Sequence, residues 1–224
     1  EEKRFAGIDL NFEYTLPQDS VAYADSVANV RAQAAPKGYF VSVALAPKTS
    51  ADQKGLLYEG KDYRLLGAAA DSVLLMTYEW GYTYGPPMAV APINKVREVV
   101  EYAVTEIPVE KIDLGIPNYG YDWTLPFVQG SSRARLIGNV EAVRIAIEND
   151  ARISFDQTAM SPFFRYERDG VQHEVWFEDV RSMREKFHLI TEYGLRGMGY
   201  WQIMKLFRAN WLLLEDTFDI TKIP

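Results

Sequence analysis

Apolar stretches of strand type alternate along this chain with stretches of helical periodicity, and that alternation restricts the fold more than any other feature. Residues 39–46 run apolar until Pro47, 72–78 run into Glu79-Trp80-Gly81, 111–116 stop at Pro117, and 197–201 precede Gln202. Near-continuous apolar runs are what parallel strands need when helices cover both faces of their sheet. Helices are expected between them over about 19–35, 63–69, 93–106 and 180–193; in the third, Val96, Val99, Val100 and Ala103 recur at helical spacing. A first strand is expected at Gly7-Ile-Asp-Leu-Asn-Phe-Glu13, where Ile8, Leu10 and Phe12 alternate with Asp9, Asn11 and Glu13 and so share one face. Five alternations of strand and helix give an α/β fold with a parallel sheet.

One region breaks the rhythm. Residues 124–178 hold a helical stretch at 139–149, strand-type runs at 152–155 and 163–166, and a further run at 171–177 after the turn Arg168-Asp169-Gly170. Asp-Gly between runs rich in aromatic and branched residues marks a hairpin, so this is a small α+β insertion before the last strand. With 224 residues, 48% of them hydrophobic, the chain can bury one substantial core and a small lobe. Its net charge of −7 argues against a nucleic-acid partner. Cysteine is absent, and His173 and His188 lie far apart, which disfavours thiolate chemistry, a His-based triad and a metal site. No apolar run reaches the roughly 18–20 residues of a membrane span, and no signal peptide opens the chain. Glu1 to Phe5 read instead as the end of a helix, so the chain is expected to start inside something larger.

Sites in barrels and open α/β sheets form at the C-terminal ends of parallel strands. Those ends carry Asp9, Asn11 and Glu13; then Tyr78, Glu79 and Trp80; then Asn118, Tyr119, Tyr121, Asp122 and Trp123; and finally Trp201 with Gln202. Any one of these aromatic residues is more often core than site. Carboxylates among clustered Trp and Tyr nevertheless suit a sugar, whose C–H faces stack on rings while its hydroxyls bond to acids and amides.

These motifs resemble the family 18 glycoside hydrolases, chitinase-like (β/α)8 barrels. The first strand resembles that family's Asp-Gly-x-Asp-x-Asp-x-Glu at strand four, with Ala6 in place of the first Asp and Asn11 in place of the third. Met76-Thr-Tyr-Glu79 is similar to the family's Met-x-Tyr-Asp at strand six, and Gly115-Ile-Pro-Asn-Tyr-Gly120 to its Gly-x-Pro-x-Tyr-Gly at strand seven. Residues 177–182 and 194–201 resemble the closing helix and the final strand with its tryptophan floor. Runs such as 76–100 are similar to the spore-cortex branch, the YaaH-like or SleL-like N-acetylglucosaminidases. The resemblance implies a (β/α)8 TIM barrel of which this chain holds only strands four to eight: barrel strands four to seven over 1–123, the insertion over 124–178, and the last helix, final strand and a C-terminal helix over 179–224. Such a sheet has two open edges, to be covered by a missing N-terminal segment or by another copy in a homo-oligomer.

The resemblance also implies roles. Glu13 matches the general acid, and Asn11 the aspartate that holds the substrate's acetamido N–H; Asn11 brings no charge, and Asp9 retains one a step deeper. Tyr78 matches the tyrosine that bonds the acetamido carbonyl, with Met76 as its neighbour. Glu79, Trp80, Tyr119, Tyr121 and Trp201 are expected to bind substrate, Trp201 as a floor whose truncation costs the barrel what a core aromatic costs, about 3–5 kcal/mol. Arg133 and Arg135 stand where an acidic glycan could meet them, although a solvated loop pair is the simpler expectation. No cofactor and no metal is implied. The implied substrate is a glycan containing N-acetylglucosamine, in peptidoglycan or chitin oligomers, with action at the spore coat, cortex or cell wall. The alternatives are a catalytically weakened sugar-binding relative and a non-enzymatic assembly fragment.

Overall fold

The computed structural model describes residues 5–220. In chain order they form β1 (Gly7–Leu10), α1 (Ser20–Ala34), β2 (Phe40–Leu45), α2 (Tyr63–Ala69), β3 (Ser72–Leu75), α3 (Ile93–Glu106) and β4 (Ile112–Pro117). A second group follows: β5 (Gly120–Thr124), β6 (Arg135–Ile137), α4 (Asn139–Glu148), β7 (Ser154–Asp156), β8 (Ser161–Arg168) and β9 (Val171–Trp176). The chain then returns through α5 (Val180–Tyr193), β10 (Gly197–Trp201) and α6 (Arg208–Thr217).

Five parallel strands make one sheet in the order β1-β2-β3-β4-β10. Val41, Val43, Val73, Leu75, Ile112, Leu114 and Ile116 on its strands are fully buried. They pack in one core with Val27 of α1, Val96, Val99, Val100 and Ala103 of α3, and Met183 and Phe187 of α5. Each such aliphatic side chain contributes roughly 1.5–3 kcal/mol by leaving water, so a charge at Val100 would break the α3 contact. Helix ends follow local chemistry. The Asp62 carboxylate accepts from Leu65 N at 2.9 Å and caps α2. Asp179 and Ser182 form a capping box at the start of α5, and Gly194, in the left-handed region at φ 64°, ends it.

The second sheet, in the order β6-β5-β9-β8-β7, is antiparallel and carries α4 on a small core of its own, including Ile137, Ile145, Phe164 and Val175. Asp169 and Gly170, at φ 54° and 75°, turn β8 into β9, as the Asp-Gly hairpin signal requires. This sheet begins at Gly120, so the expected boundary at Thr124 falls at the end of its first strand. Only Asn118 and Tyr119 separate β4 from β5, and the aromatic run through Gly120 conceals the change of sheet. At the junction of the two sheets Lys186 and Glu178 form a fully buried ion pair at 2.9 Å. Burial pushes the Glu178 carboxyl up, and the Lys186 ammonium pulls it partly back.

The first strand is shorter than its alternation suggests. Pairing ends at Leu10, and Asn11, Phe12 and Glu13 leave the sheet as a loop, with Ile8 and Phe12 exposed. Among the described residues β1 and β10 each have a single neighbour and bound an open sheet. The expected end of a helix at Glu1 to Phe5 falls almost wholly outside the described residues.

Candidate active site

A cleft of about 390 Å³ opens at the C-terminal ends of the parallel strands. Asn11 and Glu13 reach it from the loop after β1, Ala46 and Pro47 from the end of β2, Leu57 and Tyr58 from the loop beyond, Met76, Tyr78, Glu79 and Trp80 from the segment after β3, and Trp201 from the end of β10. Seven of the ten residues expected to act in catalysis or substrate binding therefore meet in one cavity. Asp9 lies on β1 itself and accepts from the Ser42 hydroxyl at 2.5 Å. Tyr119 and Tyr121 are buried beneath the cleft.

The acidic side of the site has two parts. Glu13 is exposed at the cleft with Asn11 two residues before it. Opposite, the Glu79 carboxylate accepts a short hydrogen bond from Tyr119 and bonds from the Tyr121 hydroxyl at 3.0 and 3.1 Å. Its carboxyl is pushed up by the loss of water around it, and the two phenols oppose that rise. The phenols are themselves driven up, first by burial and then by the Glu79 charge, so both stay donors. Glu79 adopts φ 69°, a region that a non-glycine residue enters at a cost; two buried donors aimed at its carboxylate offset that cost. The extra methylene of Glu relative to Asp thus spans from the cleft wall down to two tyrosines.

Tyr78 stands between the two parts. Burial, then the charges of Glu79, Asp9 and Glu13, push its phenol up to about 12, so it offers a proton to an acceptor in the cleft across the working pH range. Trp201 remains 54% exposed. Its backbone is fixed all the same: Trp201 O accepts from Asn118 N at 2.8 Å, and Asn118 Nδ2 donates to Lys205 O at 2.5 Å. Asn118 is buried and its Oδ1 accepts in turn from Asn139 Nδ2 at 3.3 Å, which ties the Trp201 end of β10 to the start of α4.

Comparison with known proteins identifies the scaffold. A match to glycosyl hydrolases family 18 spans residues 1–205. The chain belongs to that family. Its sequence is 51% identical over 219 residues to the cortical fragment-lytic enzyme of Bacillus subtilis (strain 168), covering 97% of this chain and 51% of that protein. The crystal structure of the Bacillus megaterium QM B1551 spore cortex-lytic enzyme SleL aligns with a TM-score of 0.95 at 47% identity, over 100% of this chain and 51% of the other. The chitinase from Chromobacterium violaceum ATCC 12472 aligns at 0.89 with 28% identity, over 96% and 67% of the respective chains. The chain spans about half the length of the cortex-lytic relatives it matches. As a family 18 chain it holds part of the (β/α)8 barrel, and its five parallel strands are those expected as strands four to eight.

Some lining residues were not visible in the family 18 motifs. Ala46, Pro47, Leu57 and Tyr58 come from the segment after β2; the available signal was a turn-rich loop, with Ser50, Asp52, Gly55 and Gly60, at the C-terminal end of a parallel strand. Arg135 is engaged in the second sheet, 2.6 Å from Glu141 and 3.4 Å from Asp122. Arg133 donates to the Tyr84 hydroxyl at 3.0 Å on an exposed loop. Neither arginine lines the cleft.

Proposed function

We propose that this chain carries the catalytic face of a glycosidase that cleaves β-1,4 linkages after N-acetylglucosamine in spore-cortex peptidoglycan, acting outside the cytoplasm. The observation that carries the proposal is the meeting of Glu13, Tyr78 and Trp201 in one cleft. Relatives named as cortical fragment-lytic enzymes support the substrate class.

The chemistry is substrate-assisted, and family 18 is a recognised exception to the two-carboxylate scheme. Glu13 gives its proton to the glycosidic oxygen as the C1–O bond breaks. The acetamido carbonyl oxygen of the same sugar bonds to C1 and forms an oxazolinium ring. Tyr78, a donor held at the cleft, orients that carbonyl, and the Trp201 face supports the sugar ring. The Glu13 carboxylate then takes a proton from water as the water oxygen bonds to C1 and the ring reopens. Asn11 accepts from the acetamido N–H but supplies no charge against the developing cation.

That missing charge favours a second reading, a sugar-binding relative with little turnover. Reducing-end release from purified cortex fragments and from chitin oligomers, measured with this chain and with the full-length protein, separates the two. Release above the uncatalysed background by the full-length protein supports the glycosidase; tight binding with no release supports the binding protein.

A further inference from the structure

We propose that Lys61 is a positioning residue for the acid: its buried ammonium fixes the loop from Phe12 to Thr15 and thereby sets where the Glu13 carboxyl meets the cleft. The proposal rests on Glu13 being the acid. Lys61 ends the loop after β2 and is 1% exposed, an unusual place for a lysine. Its Nζ donates to the Phe12 carbonyl and to Thr15 Oγ1, the latter at 2.8 Å, and so grips the chain on both sides of Glu13. It also lies 4.6 Å from the centre of the Tyr23 ring, which packs edge-on against Phe12. The Tyr23 hydroxyl in turn donates to Leu10 O at 3.4 Å, at the end of β1.

The grip is rigid from behind. Lys48 Nζ donates to Lys61 O at 2.8 Å and to Ala51 O at 3.1 Å, and Lys48 N donates to the Tyr63 hydroxyl at 3.0 Å. That hydroxyl donates to Ala46 O at the end of β2. A Cβ on Gly60 would collide with the Thr15 carbonyl, so the two loops touch through backbone, and only glycine allows it. Burial pushes the Lys61 ammonium down to about 8, and the carboxylate of Glu13 opposes that fall. A lysine that keeps its charge in such a place holds the acceptors it meets strongly, because few waters compete. Since Asn11 to Glu13 have left the sheet, the Lys61 contacts replace ladder hydrogen bonds as what orders the acid.

The test uses the full-length protein and two substrates: a chitin oligosaccharide, whose leaving group needs a proton, and a 2,4-dinitrophenyl N-acetylglucosaminide, whose leaving group does not. Glu13→Gln serves as the reference and should lose far more rate on the oligosaccharide. Lys61→Met should show the same selectivity, with kcat/KM on the oligosaccharide lower by on the order of ten- to a hundredfold and a distinctly smaller loss in kcat/KM on the aryl substrate, because kcat/KM reports the step in which Glu13 gives its proton and not the later step in which it acts as base. Thr15→Val removes one acceptor without burying anything new, so it should fold and show the same selectivity at smaller size; it decides the matter if Lys61→Met does not fold. Equal losses on both substrates, or none, in these variants would overturn the positioning role while Glu13→Gln still behaved as an acid variant. If Glu13→Gln itself shows no selectivity, the acid assignment fails, and the role of Lys61 falls with it.

Discussion

Replacing Trp201 by alanine tests the sugar floor with a magnitude that the structure supplies. A tryptophan side chain presents about 150–250 Å², and Trp201 keeps 54% of its surface open, so roughly 80–135 Å² is free to meet a sugar. A ring covering half to all of that area at about 25 cal/mol per Å² gains about 1–3 kcal/mol, or roughly a 5- to 150-fold change in affinity. The other half of the side chain is already packed. Truncation should therefore cost well under the about 3–5 kcal/mol of a buried aromatic, and the melting temperature should fall by only a few degrees. Titration calorimetry with an N-acetylglucosamine oligosaccharide, in a Glu13→Gln background so that nothing turns over, measures the first quantity, and thermal unfolding the second. An affinity within twofold of the parent on folded protein would refute the stacking role. A stability loss of the full core-aromatic size would refute the half-exposed placement.

Other substitutions test the rest of the site and its support. Asn11→Asp should raise turnover by up to on the order of 10²–10³, by restoring a charge beside the oxazolinium; an equal or lower rate on one N-acetylglucosamine substrate would show that Asp9 already supplies it. Glu79 is raised in the folded protein, chiefly by burial, so its linkage stability is present below its unfolded value and is lost as pH rises through the folded one. Glu79→Gln should therefore flatten the fall in urea midpoint upward from about pH 4–5, and an unchanged slope would contradict the burial that raises this carboxyl. Lys186→Met leaves Glu178 buried without its cation and should cost about 3–5 kcal/mol by denaturant unfolding. The double variant with Glu178→Gln should recover much of that loss; no recovery would mean that Lys186 acts through packing alone.

The barrel elements were legible because their signals are periodic and local. α3 shows its buried face as Val96, Val99, Val100 and Ala103, and the β8–β9 turn shows itself as Asp-Gly. β5 was not legible as a new sheet, since Tyr121, Asp122 and Trp123 continue the aromatic run of Tyr119 across Gly120. The alternation through Glu13 promised a longer strand than exists, because alternation records which side chains are polar and not whether a neighbouring edge pairs. For Tyr119 and Tyr121 the sequence showed aromatic residues near a strand end. That their hydroxyls meet Glu79 from below depends on a backbone turn at φ 69° that no local pattern encodes. Trp201 was expected to cost the barrel a core aromatic, yet its place at an open sheet edge leaves it half exposed. Lys48 and Lys61 escaped notice for the opposite reason, since lysine is read as a surface residue by default.

The claim on which the whole account depends is that Glu13 delivers the proton. Turnover of cortex fragments by the full-length Glu13→Gln variant, measured as reducing-end release beside calorimetric binding of an N-acetylglucosamine oligosaccharide, tests it most directly. The account predicts unchanged binding with release reduced to a few per cent of the parent or less. Release well above that level by a folded variant would contradict it.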